Sequence, residues 1–191
     1  MQVPSELLVT VSFALLLAYA VLAGVDGLYI HLYRLRLHAR PESRREHWLH
    51  TGRAILFPMT LASLYAVDAA GWLLWSGFAI VIADLVVGAR DLWCEAESRE
   101  SLGGLTALES TLHGVLVMLQ TSSTTLLLAV KPASAWLLAA PPVMAESYGP
   151  FADLVVLAVL PGAVAVAFLH LWLALAASGS RREAAVYSLN E

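Results

Sequence analysis

Two short stretches of this sequence carry the residue types that hold metal ions or move protons, and they carry them in the same order. Glu46-His47-Trp48-Leu49-His50 and Glu109-Ser110-Thr111-Leu112-His113 both read E-x-x-L-H. Residues four apart on a helix stand about one turn apart on one face, so Glu46 with His50, and Glu109 with His113, can each address a single centre. The resemblance between the two stretches extends upstream. Glu42-Ser43-Arg44 precedes the first motif, Glu97-Ser98-Arg99 precedes the second, and Asp26 and Asp91 come earlier still. The order aspartate, Glu-Ser-Arg, Glu-x-x-Leu-His therefore occurs twice, with different spacings between the parts. Asp84, Asp91 and Glu95, separated by seven and four positions, add a second acidic stripe on one helical face.

Asp26, Glu46, His50, Asp91, Glu109 and His113 together form the donor set of a carboxylate-bridged dimetal centre. His31, His47, Asp84, Glu95 and His170 are candidates for additional ligands. In ferritin-like bundles two helices give one Glu each and two others give Glu-x-x-His; here the paired residues are four apart and the single ligands are Asp, so only the logic is shared. Hard oxygen donors with imidazoles and no usable thiolate suit iron, two ions, with manganese or zinc as alternatives. At iron such a centre would serve an oxidoreductase acting on a lipophilic substrate. The eight-histidine pattern of integral-membrane desaturases and hydroxylases is absent.

Two other readings compete. A b-type cytochrome or electron-transfer subunit would use His50 and His113 as haem ligands, but haem does not call for the accompanying carboxylates. A metal-ion transporter, or a structural subunit of a membrane complex with a partner chain, would make the polar groups part of a path or an interface. Transport favours polar side chains through the whole depth of a bundle, and away from the cluster the chain offers only Thr60, Ser63, Gln120 to Thr125 and Asp68. Taken singly, charged residues near helix ends commonly snorkel or pair with loop arginines. His38 and His47 suit an interface in that way, and His170 suits a packing hydrogen bond. Asp84 and Glu109 lie deeper, and a doubled motif is harder to explain so.

The elements that must position these residues follow from composition. The chain has 191 residues, of which 59% are hydrophobic and 14% charged, with a mean hydropathy of +0.73, which places it in lipid rather than in water. Stretches long enough to cross the hydrocarbon run over about 7–33, 48–67, 72–93, 105–130 and 151–177. The expected fold is an all-α integral membrane protein, a single membrane domain of about five transmembrane helices. Its first four form a pseudo-twofold bundle of two hairpins. Pro58 falls inside the second span, where a kink is expected.

Arg34, Arg36, Arg40, Arg44 and Arg45 lie between spans one and two, and Arg181 and Arg182 follow span five. The positive-inside rule then puts the N-terminus out and the C-terminus in. Met1 to Glu6 carries no positive charge, so the first apolar run is expected to be a retained helix and not a cleaved leader. The apolar segment from Ala133 to Ala140 is too short to cross and is expected to lie along the outer interface. Ten of the eleven basic residues are arginine, which fits a bacterial chain, multi-pass in the inner (cell) membrane.

In such a setting each buried carboxylate costs several kcal/mol unless paired, coordinated or wet. Arg53 and Arg90 are the only arginines expected inside the spans, so metal ions would supply the missing positive charge. The basic residues form no patch interleaved with aromatics, so nucleic acid is not an expected partner; the lipid bilayer is. Cys94 is the single cysteine, so no internal disulfide can form. No serine stands in a G-x-S-x-G elbow, and Gly103-Gly104 is not a phosphate loop. Asp84 to Asp91 resembles the first half of a CDP-alcohol phosphotransferase signature, but the second half with its further aspartates is missing.

Overall fold

The computed structural model, which describes residues 4–188, is helical nearly throughout, as long apolar runs that close their hydrogen bonds within themselves would be. Helix α1 spans Ser5–Gly24 and continues without a break into π-helical turns, Val25–Arg34. Helix α2 spans Arg44–Thr60 and likewise ends in π-helical turns, Leu61–Tyr65. Helix α3 is Gly71–Arg99, α4 is Ala107–Ala129 and α5 is Pro150–Ser188. Short 3₁₀ turns at Leu37–Ala39, Glu100–Leu102 and Ala133–Trp136 make the corners. One small antiparallel pair, β1 (Asp68–Ala69) with β2 (Val143–Ala145), ties two loops together.

Four helices are long and apolar enough to cross a membrane: Ser5–Arg34, Gly71–Arg99, Ala107–Ala129 and Pro150–Ala177. The second expected span is a helix but is not among them. Its regular part has 17 residues and carries Glu46, His47, His50, Thr51 and Arg53, so length and polarity both count against it. Pro58 lies within α2, and the helix relaxes into π-helical winding three residues later. A proline removes one backbone donor, and a wider turn near it is a recognised accommodation.

Helix α1 packs along α4, α2 packs along α3, and α5 lies against α2 and α1. At the end bearing β1 and β2 the core is apolar, built from Phe13, Leu16, Leu61, Leu64, Leu74, Leu127 and Val155, all at most 2% exposed. Gly77 lets α3 approach there, because a Cβ at that position would sit 2.4 Å from the Leu64 side chain. The outward faces are also apolar: Leu157, Phe168 and Trp172 of α5 are 72%, 69% and 65% exposed. The Ala133–Trp136 turn packs onto α3, where the Trp75 indole donates to the Trp136 carbonyl at 2.9 Å and the two rings meet edge to face.

Helix α3 runs further than its apolar stretch implies. The expected span ends at residue 93, yet the helix continues to Arg99. Asp91, Glu95, Ser98 and Arg99 are all buried on it, and four-residue spacing keeps Asp91, Glu95 and Arg99 on one side.

Candidate metal centre

At the end of the bundle where the arginine-rich loop joins α1 and α2, the carboxylates and imidazoles of the sequence motifs come together from four helices. Asp26, His31 and His113 each offer a ligand atom within 4.8 Å of the others, and so do His31, Glu46 and His50. His31 belongs to both groups, so these five residues enclose one continuous space. Its ring lies 4.2 Å, centroid to centroid, from that of His50 and 5.5 Å from that of His113.

The local winding of the chain makes this possible. Asp26 and His31 are five positions apart, which on an α-helix would turn them to different sides. They lie in π-helical turns, whose hydrogen bonds run from i to i+5, so one turn separates them and both face inward. On α3 the ordinary α-helical turn does the same for Asp91 and Glu95, four apart.

The contacts across the bundle come in matched pairs. His113 Nε2 lies 3.2 Å from Asp26 Oδ1, joining α4 to α1, and His50 Nε2 lies 3.4 Å from Asp91 Oδ2, joining α2 to α3. His50 has His31 as its second neighbour, and His113 has Glu95, whose Oε1 is 2.7 Å from its Nδ1. His50 Nε2 is also 3.7 Å from Glu46 Oε1, too far for a hydrogen bond.

Buried polar atoms in folded proteins nearly always have partners, so those that lack one need an explanation. Among the described residues, both ring nitrogens of His31, Glu46 Oε1, Asp91 Oδ1 and both Glu95 carboxylate oxygens are buried with no aligned hydrogen-bond partner. Glu95 Oε1 nonetheless lies 2.7 Å from His113 Nδ1 as its ion-pair partner, so of the two Glu95 oxygens only Oε2 stands apart. His31 is 1% exposed, and neither ring nitrogen is hydrogen-bonded, the nearest carboxylate oxygen being Asp26 Oδ1 at 3.6 Å from Nε2. Carboxylate oxygens and imidazole nitrogens are the donors that iron, manganese and zinc accept, so the unpartnered atoms fit a metal ion.

Other expected ligands stand differently. Glu109 is buried at the start of α4, where it forms a capping box with Thr106: its N–H donates to Thr106 Oγ1 at 3.2 Å and its Oε2 accepts from Thr106 Oγ1 at 2.8 Å. Its other oxygen accepts from Arg99 Nε at 3.2 Å, so Glu109 is already occupied. Asp84 accepts from Gln120 Nε2 at 2.5 Å and faces Arg53 Nε at 3.4 Å, deeper along the bundle than the ligand groups. His47 and His170 belong to neither donor group and stack on each other, ring centroids 5.5 Å apart, with His38 beyond His47 at 6.0 Å.

Arg99 joins this cluster although it is not among the expected ligands. It is fully buried and bridges the two motif glutamates, with Nη1 2.7 Å from Glu46 Oε2 and Nε 3.2 Å from Glu109 Oε1. Ser98 Oγ also donates to Glu46 Oε2. The internal cation that the carboxylates need is therefore partly supplied by protein. Its counterpart in the first repeat, Arg44, is exposed. The signal was present in the spacing of Asp91, Glu95 and Arg99, each four residues from the next, but it was hidden by ending the helix at its last apolar residue.

His31 also bears on haem. It contacts both His50 and His113, so the room between those rings, which a porphyrin would need, holds an imidazole and its carboxylate neighbours. Compared with protein-family models, curated proteins and solved structures, the chain matches none.

Proposed function

We propose that this chain is a multi-pass membrane protein whose arginine-bearing end binds two metal ions through carboxylates and imidazoles, as the centre of an oxidoreductase. The observation that carries the reading is His31: a buried imidazole with neither nitrogen hydrogen-bonded and Nε2 3.6 Å from Asp26 Oδ1, shared by two three-residue donor groups. Asp26, His31 and His113 would hold one ion and Glu46 and His50 the other, with Asp91 and Glu95 within reach as further donors. Iron is the ion of choice on donor type, and it would supply redox chemistry.

The matched contacts support a pseudo-twofold relation between the hairpins. Exchanging α1 with α3 and α2 with α4 turns the Asp26–His113 contact into Asp91–His50 and the α1–α4 packing into α3–α2. In this arrangement α2 crosses with the others as a fifth span, its polar residues sheltered by α3 and α5. The arginine loop Arg34 to Arg45 lies on the cytoplasmic side, with the N-terminus out, in the bacterial inner membrane.

The protein's task in this centre is to orient donors and keep water away. Arg99 holds one oxygen of Glu46, which leaves Oε1 turned toward His50 and free to coordinate. Anaerobic titration of metal-free protein with Fe(II), Mn(II) and Zn(II) tests the reading. Saturable binding of iron that is lost in His31→Leu supports it, and binding unaffected by that change overturns it.

A further inference from the structure

A cavity of about 360 Å³ opens beside the donor groups, within the range of small-molecule sites, about 300–1,000 Å³. It is bounded by α1, α2 and α5, with Leu116 of α4 at one wall. Along α5 it reaches from Ala158 to His170, twelve residues or about 18 Å at 1.5 Å per residue, close to one leaflet's share (~15 Å) of the hydrocarbon. Small residues make the room. A Cβ at Gly24 or at Gly162 would meet no atom within 4 Å.

The two ends of this cavity differ in chemistry. Its length is walled by apolar side chains, among them Leu17, Val21, Phe57, Val159 and Val166, while Asp26, His50, Arg53 and His170 gather at the end beside the donor groups. Leu17 and Val21 line it and are also 36% and 60% exposed, so it opens sideways through the apolar flank of the bundle, halfway along α1. A ligand using that mouth comes from the hydrocarbon and not from water.

The charges at the polar end narrow the head group. Arg53, the one cation there, already faces two carboxylates, with Nε 3.4 Å from Asp84 and Nη1 3.9 Å from Asp91. Asp26 adds a negative charge on the facing wall. Asp26 is paired with His113 and Arg53 is shared between two carboxylates, so no cation at this end is left over for an anionic head. A hydroxyl or carbonyl would meet the cavity-lining His170, whose Nδ1 is buried without a partner, and the His50 ring.

From these observations we infer that the cavity binds a single-chain neutral lipid, a long-chain alcohol or aldehyde, with its chain toward Leu17 and Val159 and its polar head beside His50. The cavity alone carries the binding site. The metal reading is what makes this lipid the substrate of the centre, and the two can fail separately.

Photolabelling with a diazirine-bearing hexadecanol, on purified protein in nanodiscs, tests the inference. Label is expected on the segments 17–27 and 158–170, reduced several-fold by unlabelled hexadecanol and by Gly162→Leu, which fills the open space on α5. Metal content read on the same samples should not change in that variant. Label confined to outward residues such as Leu157 and Phe168, and indifferent to competitor and variant, overturns the site. Stronger competition by palmitate than by hexadecanol overturns the neutral head group. Cavity labelling in protein that binds no metal keeps the lipid site and removes its link to a metal centre.

Discussion

The two ends of the bundle bury comparable polar groups and treat them differently. At the strand-bearing end, among the described residues, the buried hydroxyls of Ser12, Tyr65, Ser123 and Thr124 and the charge of Lys131 all have protein partners. Tyr65 bonds Ser123 at 2.8 Å and Thr124 at 3.2 Å, Ser12 donates to the Ser123 carbonyl at 2.8 Å, and Lys131 bonds Asp68, the Ala69 carbonyl and Tyr148. At the arginine-bearing end His31, Glu46, Asp91 and Glu95 keep buried atoms with no aligned partner. Both ends meet the same physical cost, about 1–3 kcal/mol for each unsatisfied buried group. Only one end avoids it. On the proposed reading the donors left open at that end await a ligand, while Arg99 Nη2, Ser43 Oγ and His47 Nε2 are also unpartnered there.

The sharpest way to break that comparison is to remove the open donors. His31→Leu is expected to lower bound metal from about two ions per chain to one or none. In metal-free protein the same change should leave thermal stability equal or higher, because an unsatisfied imidazole is replaced by an apolar group. Metal analysis and unfolding in detergent read the two effects. A large loss of apo stability would show that His31 serves the fold after all.

Arg99→Met should come next in size. It leaves Glu46 and Glu109 buried without their cation, and breaking such a pair typically costs about 3–5 kcal/mol. Glu109→Gln, by contrast, is expected to disturb the start of α4 and retain metal, whereas Glu46→Gln loses it. Equal metal loss in both would place Glu109 among the ligands.

At the other end, Tyr65→Phe should cost about 1 kcal/mol of stability through its lost hydroxyl bonds and leave metal content untouched. The smallest effect concerns Lys131. Burial holds its ammonium below the usual lysine range, while Asp68 opposes the shift. A base with a lowered folded pKa binds fewer protons when folded, so stability rises as pH climbs through the interval below the unfolded value. Lys131→Met should remove that alkaline slope, measured as the thermal midpoint against pH.

Much of this molecule was legible before its coordinates. The apolar runs mark where α1, α3, α4 and α5 lie, and Glu46, His50 and His113 of the doubled E-x-x-L-H motif fall in the two donor groups. What escaped was set by winding and tertiary choice. Asp26 and His31 share a face only because the chain turns π-helical between Val25 and Arg34, and a 3.6-residue period cannot show that. Glu109 reads as a ligand by spacing, yet its place three residues after Thr106 makes it equally a capping residue, and there the cap is formed. Arg99 escaped because hydropathy marks where lipid ends, not where a helix ends.

The most direct test of the account is metal content with an absorption spectrum, on protein purified in mild detergent without chelators from cells supplied with iron, manganese and zinc. The account predicts about two ions per chain, iron foremost, and no Soret band. Folded protein that carries no metal, or that carries haem, would contradict it.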